Sequence, residues 1–407
     1  MSDSRVDAKR ERLRRKNKRR GRKSRLRGLV AVLAVAVVAA AALVIVIHNS
    51  NRTPDKVTGL TADTCYSQVT LSWDKAEHAD SYVIYRNDGS EVVKAGETEG
   101  ADSTSWTYED YDHNTDVTFT VAGCNSKAHD REGEQSDPVT ATYDSSKYAQ
   151  KIPILGYHKV VTDEEEVSEA GMKTGLIIKE SVLESQLKYL KDNGYTTLTL
   201  DEFYEWHAGK KEFPPKSVVM TFDDGYYGVY YVAYPLFKKY DMAGAVFCIG
   251  KNTAGEIAEY TPEKDEKDQY IKEDAIQKVR EEYPKFALES HTFDMHNRVK
   301  GKKPALSFTY DQIMEDCRKN EPFGFTYLAY PWGTYSENMQ NVLKDAGYKM
   351  AFAYNPYFYA YRSDDTFAVN RIKISGLTSM DEFIDIVSGD DPQYNNPDAP
   401  EEAEKAQ

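Results

Sequence analysis

The stretch Ser217-Val218-Val219-Met220-Thr221-Phe222-Asp223-Asp224-Gly225-Tyr226 sets an apolar, β-branched run of strand length directly against two carboxylates and a glycine. The run reads as a strand and the Asp-Asp-Gly as its exit. Runs of the same kind recur on both sides, at 152–157 and 196–200 before it and at 243–249, 286–290, 326–330, 350–353 and 368–374 after it. Helical periods separate most of them, at 183–193, 201–208, 232–240, 272–282, 310–320, 337–346 and 380–387. Gly194 and Gly347 stand where two of these helices should stop. Strands alternating with helices predict an α/β domain over residues 150–388, built as a parallel β/α barrel. Chemistry in such a barrel gathers at the C-terminal ends of the strands.

Two adjacent carboxylates at one strand end are costly unless something positive sits beside them. Neighbouring side chains of a strand diverge, so Asp223 and Asp224 can take different tasks, one on a metal and one facing a substrate as base. The same residues would also serve a plain turn. The strand at 286–290 ends in His291-Thr292-Phe293-Asp294-Met295-His296. Two histidines and one carboxylate form a ligand set that leaves positions open for water and substrate. The domain has four histidines, His158, His207, His291 and His296, and all but His207 fall at strand ends.

Thr221-Phe222-Asp223-Asp224-Gly225-Tyr226, followed by Ser290-His291-Thr292 and then His296, resembles the motifs of the polysaccharide deacetylases (carbohydrate esterase family 4, the NodB homology domain). Ala329-Tyr330-Pro331-Trp332-Gly333-Thr334-Tyr335 resembles that family's third motif, a groove wall. The resemblance implies a distorted β/α barrel that removes N-acetyl groups from N-acetylglucosamine polysaccharides. It implies one divalent ion, Zn2+ first, with Ni2+, Co2+ or Fe2+ as other candidates. By position, Asp223 is the general base, and Asp224, His291 and His296 are the metal ligands. The backbone N–H of Tyr226 would stabilise the oxyanion, and Tyr330, Pro331, Trp332 and Tyr335 would contact the sugar.

Two departures point to one branch. The histidines are five apart where the family commonly has four, and no Leu-x-His follows Phe367 to supply an acid. Both are shared with the deacetylases of poly-β-1,6-N-acetylglucosamine, in which the acid histidine lies near the domain start. Ile154-Leu155-Gly156-Tyr157-His158 stands there, so His158 is the expected acid. The family's arginine before Pro331 is missing, and Arg371 in the last strand is the expected substitute, orienting Asp223. Peptidoglycan is the alternative substrate, and an inactive carbohydrate-binding surface protein the alternative of another class.

Residues 54–143 read differently, as short alternating strands with turn residues between them and no long helical period. Candidates are 57–60, 69–73, 82–86 and 117–122. Pro54-Asp55-Lys56-Val57-Thr58-Gly59-Leu60, Val69-Thr70-Leu71-Ser72-Trp73 and Ser81-Tyr82-Val83-Ile84-Tyr85-Arg86 together resemble a fibronectin type III domain, with Trp73 as its core tryptophan. That implies an all-β sandwich and no chemistry. Cys65 and Cys124 fall at opposite ends of it, so no bridge between them is expected.

Residues 1–28 hold fourteen Lys and Arg against three acidic residues, about +11, although the whole chain is −14. The bulk is therefore acidic, which argues against nucleic acid as a partner. Residues 29–47 are uncharged and apolar, and as a helix would measure about 28 Å, enough to span a membrane. The basic block should hold the N-terminus in the cytoplasm and place the rest outside. Cleavage after 39–41 is the alternative. The acidic end, 389–407, reads as a disordered tail. No required protein partner is evident.

Overall fold

The computed structural model describes residues 31–43, 51–128, 131–255, 269–297, 301–354 and 358–389, with the single positions 12 and 18. The basic block (except 12 and 18), both flanks of the apolar run and the tail from 390 lie outside the described residues. Residues 31–43 are helical. Among the described residues no helix is long and apolar enough to cross a membrane. The chain divides into two compact units. One takes Gln68–Thr142 with the chain up to Thr64, the other Tyr143 onward with Cys65–Ser67.

The first unit is an antiparallel sandwich. Its strands are β1 (Thr61–Thr64), β2 (Val69–Ser72), β3 (Ser81–Asn87), β4 (Val92–Glu99), β5 (Ser105–Tyr108), β6 (Val117–Cys124) and β7 (Val139–Ala141). They form a three-stranded sheet ordered β1-β2-β5 and a four-stranded sheet ordered β4-β3-β6-β7. This is the fibronectin type III-like sandwich expected. Alternation decides what lies between the sheets: Val69 and Leu71 from β2, Tyr82 and Ile84 from β3, and Val117, Phe119 and Val121 from β6 are buried. Trp73 joins them, edge-on to Tyr82 at 5.4 Å between ring centres. The expected strand at 57–60 is a correction. Gly59 adopts φ +67°, outside the β region, and β1 begins only at Thr61.

In the second unit the alternation of strand and helix is as expected. The strands are β8 (Ile154–Tyr157), β9 (Lys159–Val161), β10 (Ile177–Lys179), β11 (Thr196–Thr197), β12 (Ser217–Phe222), β13 (Gly244–Cys248), β14 (Phe286–Ser290), β15 (Tyr327–Ala329), β16 (Met350–Phe352) and β17 (Ile372–Lys373). β9 and β10 pair apart from the rest and were not expected from the sequence. The main sheet is parallel, ordered β16-β15-β14-β13-β12-β8-β17. Its end strands, β16 and β17, do not pair; β16 instead meets the segment ahead of β17 through an isolated parallel bridge from Phe352 to Val369, so the expected barrel is a half-barrel.

β11 departs from the simple order. It pairs only with Ser217 and Val218, the first two residues of β12. β8 takes the place beside the rest of that strand, with Tyr157 opposite Phe222. Along β12, Val219 packs inside the sheet with Ile154, Phe247 and Phe352. Val218, Met220 and Phe222 pack outside against Leu183, Leu187 and Leu190 of the helix Glu180–Asp192. Thr221 and Asp223 continue the inward series, which carries a carboxylate into the mouth of the half-barrel.

Candidate active site

Asp223 and Asp224 part company at the backbone. Asp224 has φ +69°, a left-handed conformation that side chains other than glycine seldom adopt. It turns one carboxylate in and sends the other across the mouth. Asp223 meets Arg371, whose Nη1 and Nη2 donate to Oδ1 and Oδ2 at 2.7 and 2.9 Å. Arg371 also donates to Thr221 Oγ1 at 3.1 Å and to the Ala353 carbonyl at 3.3 Å. Both partners are buried, Arg371 at 0% exposure and Asp223 at 1%. Burial alone would raise the Asp223 carboxyl, but the Arg371 guanidinium, with His291 and His158, offsets it and holds the group below the usual carboxylate range.

Asp224 faces the two histidines. Its Oδ1 lies 3.4 Å from His291 Nε2 and 3.1 Å from His296 Nε2. Nδ1 of His291 sits 2.8 Å from the Ala329 carbonyl, which assigns it the proton and leaves Nε2 with its lone pair inward. The Asp224 carboxyl would be raised by burial, but the histidines bring it well below the ordinary range.

These three residues fit a divalent cation. One ligand atom from each lies within 4.8 Å of the others. Oδ1 of Asp224 is buried and has no hydrogen bond of regular geometry, although two ring nitrogens point at it. Ligand atoms on a tetrahedral ion of the Zn2+ type stand about 3.3 Å apart, as these pairs do. Backbone strain collects nearby: Thr292 at φ +65° and Trp332 at +56° join Asp224.

His158 follows β8 and therefore stands level with Asp223, whose N–H donates to the Tyr157 carbonyl at 2.9 Å. His158 Nδ1 is buried without a hydrogen-bond partner. Burial pulls the imidazole below its ordinary pKa against the pull of both aspartates.

Residues 210–351 match the model of the polysaccharide deacetylase family. YxkH of Bacillus subtilis (strain 168), which carries that family's name, is 30% identical over 246 residues, 60% of this chain and 78% of its own length. The chain belongs to the polysaccharide deacetylase family. A poly-beta-1,6-N-acetyl-D-glucosamine N-deacetylase of Staphylococcus aureus (strain MRSA252) is 31% identical over 210 residues, 49% of this chain and 68% of that one. Among solved structures, the Streptococcus pyogenes deacetylase PplD in complex with acetate aligns with a TM-score of 0.47 at 22% identity, across 58% of this chain and 98% of that one.

In this deacetylase the expected groove residues separate into two pairs. Trp332 is half-buried with its ring 4.6 Å from that of His296, and Tyr335 is 40% exposed. Tyr330 and Pro331 lie deeper. Tyr330 is fully buried, its hydroxyl donating to the Phe367 carbonyl at 2.9 Å, and Pro331 is buried beside it. They support the wall from beneath. Tyr226 is half-buried and stacks on Tyr270 at 5.5 Å, with a backbone bridge between the two.

Tyr354 was not among the expected site residues. Its ring lies 4.2 Å from the Arg371 guanidinium and runs nearly parallel to His158, at 6.1 Å. Its hydroxyl sits where a Cβ on Gly156 would be, only 2.1 Å from that position, so the glycine of Leu155-Gly156-Tyr157 makes the room. A glycine at the end of an inward-facing strand was the one available signal.

Proposed function

We propose that this deacetylase hydrolyses the N-acetyl groups of a cell-surface poly-β-1,6-linked N-acetylglucosamine polymer. The observation that carries the reading is the meeting of His158 with the paired aspartates at the mouth of the half-barrel. The supply of an acid from the first strand is the feature shared with that branch. The likeness to the Staphylococcus aureus poly-beta-1,6-N-acetyl-D-glucosamine N-deacetylase supports the same substrate.

Asp224, His291 and His296 are the residues that would hold the ion. A divalent cation bound there supplies a Lewis acid for the acetamide carbonyl and a water of lowered pKa. Asp223, ionised through its pairing with Arg371, takes a proton from the attacking water. The backbone N–H of Tyr226 stabilises the developing oxyanion. The amine leaves only with a proton, and His158 delivers it. Trp332 and Tyr335 offer ring faces to the sugar. Buried as it is, Arg371 acts on the substrate only through Asp223.

The apolar run 29–47 behind its basic block supports a single-pass anchor with a cytoplasmic N-terminus and the catalytic domain outside. Protease added to intact cells should then remove the catalytic domain and spare residues 1–28. For the substrate, products are analysed after incubation with poly-β-1,6-N-acetylglucosamine and with peptidoglycan side by side, each with and without chelator. Acetate released from the first polymer only, and lost on chelation, is the expected result. Release from peptidoglycan alone would assign the other substrate, and release indifferent to chelator would remove the ion from the mechanism.

A further inference from the structure

The loop that carries both candidate ligand histidines is gripped by a helix that supplies none of the ligands. Thr292 stands at φ +65°, where a β-branched residue is an outlier. Such a conformation persists only where its surroundings over-determine it. The helix Tyr310–Asn320 provides that. One oxygen of the Asp316 carboxylate accepts the Phe293 N–H at 2.7 Å and the other accepts the Asp294 N–H at 2.8 Å. Asn320, one turn further along the same face, donates to Ser290 Oγ at 3.1 Å, and Ser290 Oγ accepts the Thr292 N–H at 3.1 Å. From the other side, the N–H groups of Gly250 and Lys251 donate to the carbonyls of Thr292 and Phe293 at 3.0 and 2.9 Å.

Asp316 is the costly member of this set. It is 8% exposed, and its carboxylate spends both oxygens on backbone amides rather than on a cation. A buried carboxylate is retained only where its hydrogen bonds repay the loss of water. An asparagine of the same shape could serve only one of the amides, because its NH2 would face the other donor.

We propose that Asp316 is a positioning residue for the metal centre, fixing the backbone of 292–294 so that His291 and His296, five residues apart, aim their Nε2 atoms together at Asp224. This rests on the reading of Asp224, His291 and His296 as ion ligands.

The test is Zn2+ affinity, measured on the full chain by competition with a chromophoric chelator, together with melting temperatures with and without Zn2+. Asp316→Asn is expected to weaken Zn2+ binding about 10–100-fold, as loss of a group that orients metal ligands does elsewhere. The rise in melting temperature on adding Zn2+ should shrink with it. Asp316→Glu keeps the charge but displaces the oxygens by one methylene. It is expected to weaken binding by a smaller factor, and it covers the case in which the asparagine variant does not fold. Wild-type Zn2+ affinity in the folded variants, with melting lowered equally in both conditions, would make Asp316 an ordinary structural residue and overturn the proposal. A wild-type chain that binds no Zn2+ would overturn instead the ligand reading on which it rests.

Discussion

The two units of this chain bury different things. Inside the sandwich the buried residues are almost wholly apolar, and its buried polar side chains, Asn125 and Ser136, are neutral. The half-barrel buries Asp223, Asp224, Glu289, His291, Asp316 and Arg371. A charge taken out of water costs several kcal/mol unless it is paired, and an apolar replacement is often more stable. The sandwich shows that this chain can build a well-filled core without such groups. Asp223, Asp224, His291 and Arg371 gather at one strand-end face and Asp316 holds the loop beside it, whereas Glu289 accepts the N–H groups of Thr326 and Tyr327 at the start of β15. The first four mark where stability is given up for chemistry.

Substitutions can break or sharpen that contrast. The largest effect should come from Asp223→Asn. It removes the base and leaves Arg371 buried without its counter-charge, so acetate release should fall by about 10²–10⁴ and the unit should lose roughly 3–5 kcal/mol of stability. Metal content, read by elemental analysis, should stay. A variant with normal turnover would mean that the aspartate–arginine pair is structural.

His158→Ala comes next. Turnover on the amide should fall by about 10²–10⁴ with metal retained. An aryl acetate should lose less, because its leaving group needs no proton. Equal losses on the two substrates would mean that His158 is no acid.

Trp73→Ala tests the other side of the contrast. Truncating a core tryptophan should destabilise the sandwich by about 3–5 kcal/mol, seen in calorimetry as a transition moved to lower temperature. Acetate release should be unaffected. A parallel loss of turnover would show that the sandwich takes part in the reaction.

How much of this was legible in the sequence follows the same division. The strand from Ser217 to Phe222 announced itself by its apolar run, and its two carboxylates announced the site. Arg371 and His158 could be named only through the family resemblance, because the chain lacks that family's usual arginine and late acid histidine and other strand ends had to supply them. The neighbour of β12 was not legible. A two-residue strand such as β11 has too short a pattern to show that it leaves room for β8, and that adjacency brings His158 level with Asp223. The depth of Tyr330 was not legible either, because a motif gives position along the chain and not burial; its hydroxyl is tied down inside. Asp316 gave no signal at all, since an acidic residue in an amphipathic helix is ordinarily on the solvated face.

The central claim is that a divalent ion held by Asp224, His291 and His296 is required for deacetylation. His291→Ala tests it most directly, because that residue is a candidate ligand and has no other evident task. Metal content and acetate release from poly-β-1,6-N-acetylglucosamine should be measured on the same preparation, with circular dichroism to confirm the fold. The account predicts about one ion per chain and active release in the wild type, and loss of both in a variant that remains folded. Full metal content in the variant, or wild-type release from metal-free protein, would contradict it.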